Sequence, residues 1–352
     1  MNCTLEEKLG QMFIVRMKGK TVTSELESLI KEYHIGGISL YYNNYDSYEE
    51  MYSLINELKK INKKYNKTPL FIAVDQEGGR VDRMPDEFKT LPSAKKISID
   101  EKLIKESGNI TGELLSDLGI NLNFAPVLDI QRFSDNHAIG DRCFGENKED
   151  VIKNGLLMMN TLKKNVIPVV KHFPGHGLVK RDSHILLPVI SKDIKKEDDI
   201  CPFIEAIKEN VPAIMISHIM LTEMDKIYPA SLSKKVIKDY LVNELGYKGL
   251  IITDDLKMKA VNFVYGYKKS ALKAIEAGEN VILIGSDYEE VKKCINFIKL
   301  KLNDSLIDDI NTSYEKIISL KEEYNLNDDK KEKIDIEKYN KRIDKVRNSV
   351  IQ

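Results

Sequence analysis

This sequence predicts an α/β chain folded as a (β/α)8 barrel of the TIM type, on three observations. Short apolar runs alternate with longer amphipathic stretches eight times. Most of the runs are continuous and rich in Val and Ile, as strands buried on both faces of a parallel sheet are. The doubly wound open sheet shares this alternation but usually carries a Gly-rich phosphate loop after its first strand. No G-x-G-x-x-G or Walker pattern occurs here.

The eight strands are expected at Met12–Val15, Gly37–Tyr41, Leu70–Val74, Leu122–Leu128, Ile167–Val170, Ala213–Ile216, Leu250–Ile252 and Val281–Ile284. The helices between them are expected at Ser24–Tyr33, Ser47–Tyr65, Glu101–Leu118, Glu149–Asn165, Asp198–Asn210, Lys234–Leu245, Lys268–Ala277 and Tyr288–Lys301. Asp46 and Ser47 can cap the second helix, and Gly246 closes the one before the seventh strand. Leu306–Tyr324 reads as a further helix, and Asn325 to Asp329 break the pattern. Ile336, Tyr339, Ile343, Val346 and Val350 then recur at helical spacing, giving a last amphipathic helix packed back on the barrel. A free charged tail is the alternative. The chain is read as a single domain with extra C-terminal helices, the barrel over 1–325 and the charged tail over 326–352.

The totals exclude several functions. The chain has 352 residues, with 54 Lys and Arg against 55 Asp and Glu, for a net charge of −1. That balance points to neither nucleic acid nor an anionic membrane. No window reaches the ~18 uninterrupted apolar residues of a membrane span. The opening MNCTLEEKLGQMFIV has no basic head followed by an apolar core, so no signal peptide is read there. Cys3, Cys143, Cys201 and Cys294 are scattered, which suits reduced thiols in a cytoplasm.

In a barrel the active site forms at the C-terminal ends of the strands. Polar residues collect at five successive ends here. The third strand runs into Asp75, with Glu77, Arg80 and Arg83 following. The fourth runs into Asp129, and its loop carries Asn136 and Gly140–Gly145. The fifth ends in Lys171-His172, the sixth in Ser217-His218 and the seventh in Thr253-Asp254-Asp255. Stability does not require charges there, so a shared polar pocket is expected. After the fifth strand, a Phe-Pro-Gly-His-Gly turn leads to Asp182 and His184. Residues i and i+2 of an extended segment face the same way, so the carboxylate can hold one imidazole nitrogen and raise the ring's basicity. Taken alone, Asp-x-His is also what an ordinary polar loop contains.

Three chemistries compete for such a pocket. His172, His176, Asp182 and His184 could ligate a metal, but their spacing matches no familiar zinc pattern and Lys171, Arg83 and Arg142 crowd the site with cations. A Schiff-base lysine at Lys171 would need desolvation that the sequence does not reveal. Sugar chemistry fits best. Carboxylates and cations together match a pyranose's hydroxyls, and an anionic Asp beneath the ring can act as nucleophile beside a proton donor. Asp255 reads as ordering its own loop, and His34 as an ordinary helix-end residue. His176 reads as shaping its turn, His218 as supporting the residues around it, and Met158 and Met159 as core packing.

KHFPGHG at 171–177, followed by DSH at 182–184, resembles the signature of family 3 glycoside hydrolases of the β-N-acetylglucosaminidase branch. Supporting matches are GQMF, GGISLY, DQEGGRVDR, FAPVLDI, NHAIGDRCFG, PASLS and GYKGLIITDDLKM, spanning residues 8 to 285. The resemblance implies Asp254 as nucleophile and His184 as acid/base, with Asp182 orienting it. It implies sugar contacts at Asp75, Arg83, Arg142, Lys171 and His172. His176 and His218 would stand behind them. It implies no cofactor, no metal and no obligate protein partner. The chain departs from relatives at Leu178-Val179, where Asp-Thr is common, at Cys143, where Ser is usual, and at His137, where Pro is frequent. Its length matches the compact form without a second domain.

The function expected is thus a cytoplasmic, retaining exo-β-N-acetylglucosaminidase. It would remove terminal N-acetylglucosamine from muropeptide fragments or chitooligosaccharides. A phosphorylase, in which phosphate attacks the glycosyl-enzyme, is the alternative within enzymes. A muropeptide-binding sensor is the alternative outside them.

Overall fold

The computed structural model describes residues 3–133, 139–179 and 187–351, apart from the side chains of Lys259 and Ala260. In chain order the strands are β1 Phe13–Arg16, β2 Gly37–Ser39, β3 Phe71–Val74, β4 Leu122–Asn123, β5 Ile167–Phe173, β6 Val189–Ile190, β7 Ala213–Ile216, β8 Met220–Leu221, β9 Leu250–Thr253 and β10 Ile282–Ile284. Eight of them form one sheet in the order β10-β1-β2-β3-β4-β5-β7-β9. Every pairing in it is parallel. A parallel bridge from Ile252 to Val281, with Thr253 N donating to Val281 O at 3.0 Å, brings β9 to β10 and closes the barrel.

These are the eight runs read from the sequence. Each is buried because strands on one side face the barrel interior and on the other face the helices. The fourth differs from its expected span. Only Leu122 and Asn123 pair continuously, because Pro126 has no N–H to give and interrupts the ladder. Val127 rejoins β5 through a single bridge to Lys171. The short parallel pair β6 and β8 was not foreseen, since two residues show no periodicity.

Helices fall where the amphipathic stretches are, with ends adjusted by local chemistry. Glu101–Leu118 stops at Gly119, whose φ of 86° a residue with a side chain resists. The expected Asp198–Asn210 splits into a tight turn and a helix Cys201–Lys208 with Pro202 in its first turn, where a missing N–H costs nothing. Lys235–Glu244 is wound wide, with Leu245 N reaching back five residues to Tyr240 O at 2.9 Å. Three α-helices among the described residues passed unread, Leu5–Gln11, the single turn Ala94–Ile97 and Lys259–Tyr265. The first had a signal: Thr4 and Glu7 form a reciprocal capping box.

The C-terminal helices lie outside the barrel. Asp304–Glu323 crosses beneath the N-terminal ends of β1 to β3, where Lys321 enters the core. Ile336–Ile351 packs on Glu101–Leu118. It buries Tyr339, Ile343 and Val346, and Arg342 pairs with Glu106 and Glu113 at 2.8 and 2.5 Å. Among the described residues, no helix is long and apolar enough to cross a membrane.

Candidate active site

Strand geometry gathers the predicted residues. A strand's last residue projects past the ladder, so side chains just beyond β3, β5 and β9 converge at one end of the barrel. There a cavity of about 170 Å3 is lined by Asp75, Arg142, Lys171, His172, His176 and Asp254, with Tyr41 beside them. A larger hollow of about 820 Å3 lies at the opposite end, by the starts of β7 and β9. Its charged lining is Lys163, Lys208, Lys248 and Lys316 with Glu315 and Glu323, and among the described residues it contains no histidine or aspartate.

The cavity floor is a network of buried charge. Lys171, 2% exposed, donates to Asp75 Oδ1 and to Glu77 Oε1, both at 2.7 Å. Arg142 grips Glu77 with two parallel bonds, Nε to Oε2 at 2.7 Å and an Nη to Oε1 at 2.8 Å. Arg83 stands 4.0 Å from the Asp75 carboxylate and 5.5 Å from the Tyr41 ring centre. Burial pushes the Glu77 carboxyl up, but the charges of Lys171 and Arg142 outweigh it and hold the group well below the ordinary range. Glu77 therefore stays ionised and fixes two cations that face the cavity. It was read from the sequence only as one of several strand-end charges. Its signal was the i+2 spacing from Asp75, which aims both carboxylates the same way.

His172 is held from behind. Its Nδ1 lies 2.7 Å from Asp129 Oδ2, and its backbone N donates to Oδ1 at 3.3 Å. A carboxylate can only accept, so Nδ1 carries the proton and Nε2 is turned to the cavity. Asp129, fully buried, also accepts from the His176 amide at 2.7 Å. Burial raises its carboxyl, and His172 and His176 more than offset that, leaving it below its usual value. The His176 ring packs edge-on against His172 with centroids 6.0 Å apart. Burial pushes its imidazole down toward the neutral form.

Asp254 follows β9. Burial raises its carboxyl, while His218, His172, the Asp255 amide and Lys171 lower it, and the balance lies below the ordinary value. His218 is itself pushed down by burial. At neutral pH the Asp255 amide, 2.7 Å from Oδ1, and the Lys171 ammonium therefore keep Asp254 anionic. An anionic, partly exposed carboxylate beside a cavity is what a nucleophile requires.

The neighbours of Asp254 organise the loop. Asp255 Oδ1 accepts from the amides of Lys257 at 2.9 Å and Gly285 at 2.7 Å, tying β9 to β10. Burial raises Asp255 to about 6. His218 has both nitrogens committed. Nε2 lies 3.2 Å from the Asp255 carbonyl and so must donate, which leaves Nδ1 to accept from the Ser231 hydroxyl at 2.6 Å. Its ring supports the Asp254–Asp255 loop and is not turned to the cavity.

Asp182 and His184, with Asn136 and His137, lie outside the described residues. Among the described residues no group of three or more His, Cys, Asp or Glu side chains is arranged to hold a metal.

Comparison with known proteins identifies the frame. The family described as the glycosyl hydrolase family 3 N-terminal domain matches residues 4–320. A beta-hexosaminidase of Glaesserella parasuis serovar 5 (strain SH0165) is 33% identical over 294 residues, covering 82% of this chain and 84% of the relative. Beta-hexosaminidase A of Pseudoalteromonas piscicida is 34% identical over 287 residues, covering 75% of this chain. The chain spans 48% of that relative's length. Among solved structures, a glycoside hydrolase family 3 β-N-acetylglucosaminidase from Paenibacillus sp. str. FPU-7 superposes with a TM-score of 0.91 at 30% identity, over 98% of this chain and 68% of that one. NagZ from Neisseria gonorrhoeae, solved with N-trifluoroacetyl-D-glucosamine, superposes at 0.76 with 26% identity, over 95% and 97% of the two chains.

Proposed function

The chain belongs to the family of glycosyl hydrolase family 3 N-terminal domains, and on that premise we propose that it is a retaining exo-β-N-acetylglucosaminidase. The observation that carries this reading is the meeting, in one cavity, of an anionic Asp254 with Asp75, Arg142, Lys171 and His172. A terminal sugar enters that cavity. Asp75 accepts from ring hydroxyls, and Lys171, Arg83, Arg142 and His172 donate to hydroxyl and amide oxygens. Asp254 attacks the anomeric carbon and becomes glycosylated, with inversion. His184, oriented by Asp182, gives its proton to the departing oxygen and then takes one from the water that releases the sugar, with a second inversion. The substrates are muropeptide fragments or chitooligosaccharides. The compartment is the cytoplasm, a reading supported by four unpaired cysteines.

A panel of aryl β-N-acetylglucosaminide, β-glucoside and β-xyloside tests the substrate, and preference for the plain glucoside would sink the assignment. Product analysis in phosphate and in a phosphate-free buffer tests hydrolysis, which a sugar 1-phosphate as main product would overturn. His184→Ala tests the proton donor. Acid assistance is worth roughly 10²–10⁴-fold, but a nitrophenolate leaves with little of it. The variant should therefore show a nitrophenol burst on the aryl substrate, near-inactivity on a natural disaccharide, and rescue by azide. Asp182→Ala should show a milder form. Equal loss on both substrates, without burst or rescue, would remove His184 from the role.

A further inference from the structure

We propose that the Arg132–Asp199 pair, outside the cavity, is the positioning element for His172. Asp199 is fully buried and stands just before the helix Cys201–Lys208. Arg132, in the segment after β4, reaches its Oδ2 with Nε at 3.0 Å and an Nη at 2.7 Å. Both nitrogens share that one oxygen, so the charged contact holds the carboxylate in place and leaves Oδ1 facing the turn.

This pair is the floor of the Gly175-His176-Gly177 turn. A Cβ added to Gly175 would stand 2.8 Å from Asp199 Cβ and 2.9 Å from its carbonyl oxygen. A Cβ added to Gly177 would stand 2.2 Å from the Ile130 carbonyl oxygen, 2.5 Å from Asp199 Oδ1 and 3.3 Å from Arg132 Cγ. The turn backbone therefore rests on Asp199 and Arg132 together with the Ile130 carbonyl, and only glycine permits the approach. The residue between the two glycines is His176, whose amide donates to Asp129 Oδ1 at 2.7 Å. Asp129 Oδ2 holds the His172 ring at 2.7 Å. Each link is a packed backbone or a short charged hydrogen bond, so a shift of the turn passes to the imidazole. Burial raises the Asp199 carboxyl above its ordinary value, and the Arg132 guanidinium offsets part of that rise.

The kinetic part of this inference rests on the proposed hydrolase reading, and its spectroscopic part does not. The experiment is a double-mutant cycle on the full chain with Asp199→Asn, His172→Ala and the double variant. It reads kcat/KM on an aryl β-N-acetylglucosaminide and the proton resonance of His172 Nδ1, which is assigned by its absence in His172→Ala. Asp199→Asn should lower kcat/KM by roughly tenfold, the low end of the range for losing a supporting group behind a working imidazole, and should move or broaden the Nδ1 resonance. In the His172→Ala background the same change should cost a factor close to one, because its route to the substrate is gone. A role in stability alone would lower activity by the same factor in both backgrounds and leave the resonance in place. That result, or an Asp199→Asn variant with wild-type kcat/KM, overturns the proposal. If Asp199→Asn does not fold, Arg132→Gln carries the same cycle from the exposed partner. Wild-type protein inactive on the aryl substrate would speak against the hydrolase reading, and the resonance would then decide this inference alone.

Discussion

The two ends of this barrel bury ionisable groups in opposite ways. At the C-terminal ends of the strands, Lys171 sits between Asp75 and Glu77, and Arg142 doubles the pairing. At the N-terminal ends, Lys321 is as deeply buried but meets only neutral acceptors. These are Gln11 Oε1 at 2.9 Å, Gly36 O at 3.0 Å and Pro69 O at 2.6 Å, with the Phe71 ring centre 4.3 Å away. Just before β10, buried Glu279 finds no hydrogen-bond partner for either carboxylate oxygen among the described residues. Desolvation acts at both ends, yet at the top opposite charges overcome it and the acids stay ionised. At the bottom it wins: burial pulls Lys321 down to about 7 and pushes Glu279 well above its usual value. At the working end the acids beside the cations are kept charged while His176 and His218 are driven toward neutrality, whereas at the structural end both Lys321 and Glu279 are driven toward neutrality.

Breaking the top should cost activity first. Asp254→Ala should show the largest effect, a loss on the order of 10⁴-fold or more in kcat on every substrate, because no glycosyl-enzyme can form. Azide acting on this variant could give only the inverted glycosyl azide, and a glycosyl azide of retained configuration would reassign the nucleophile. Glu77→Gln comes next. It leaves Lys171 and Arg142 short of one counter-charge, so it should lower kcat/KM by roughly a hundredfold and stability by about 3 kcal/mol together. Urea unfolding beside steady-state kinetics checks this, and an active, fully stable variant would show that Glu77 is not the anchor.

Breaking the bottom should cost stability alone. Lys321→Met leaves three buried acceptors unpaired, so a loss of about 2 kcal/mol with unchanged kcat/KM is expected. The pH dependence sharpens it. Because the folded pKa of about 7 lies below the ordinary 10.5, the unfolded chain binds more protons between those values. Lys321 therefore adds stability as pH rises from 7 toward 10, and unfolding at pH 7 and 9.5 should show that increment in the wild type and not in Lys321→Met. Glu279→Gln is the smallest change. Its folded pKa is raised, so the native carboxyl costs stability as pH climbs past 4.5. The variant should match the wild type at pH 4 and exceed it at pH 8 by about 1 kcal/mol or more. A variant no more stable at pH 8 would mean that the carboxyl is solvated or paired after all.

The barrel was legible because its evidence is local and repeated. A strand buried on both faces must be apolar throughout, and a helix covering it must be apolar on one face, so each unit states its own type. The cavity residues were legible for a related reason, since strand ends point to one place whatever lies between them. Asp75, Arg142, Lys171, His172 and Asp254 could thus be chosen from sequence position and family motif together. What the sequence did not disclose are the relations among them. Glu77 as the hub of two cations, Asp129 as the support of His172, and His218 turned away to Ser231 and Asp255 each depend on which side chains meet, from 13 to 94 positions apart in the chain. The same holds for Lys321 and Glu279, ordinary charges in a helix and a loop until packing removes water from them. Sequence periodicity determined which elements form and which ends carry charge. Only the tertiary structure decided which of those charges survive burial, because that depends on the distance to a counter-charge, and distance is set by the fold.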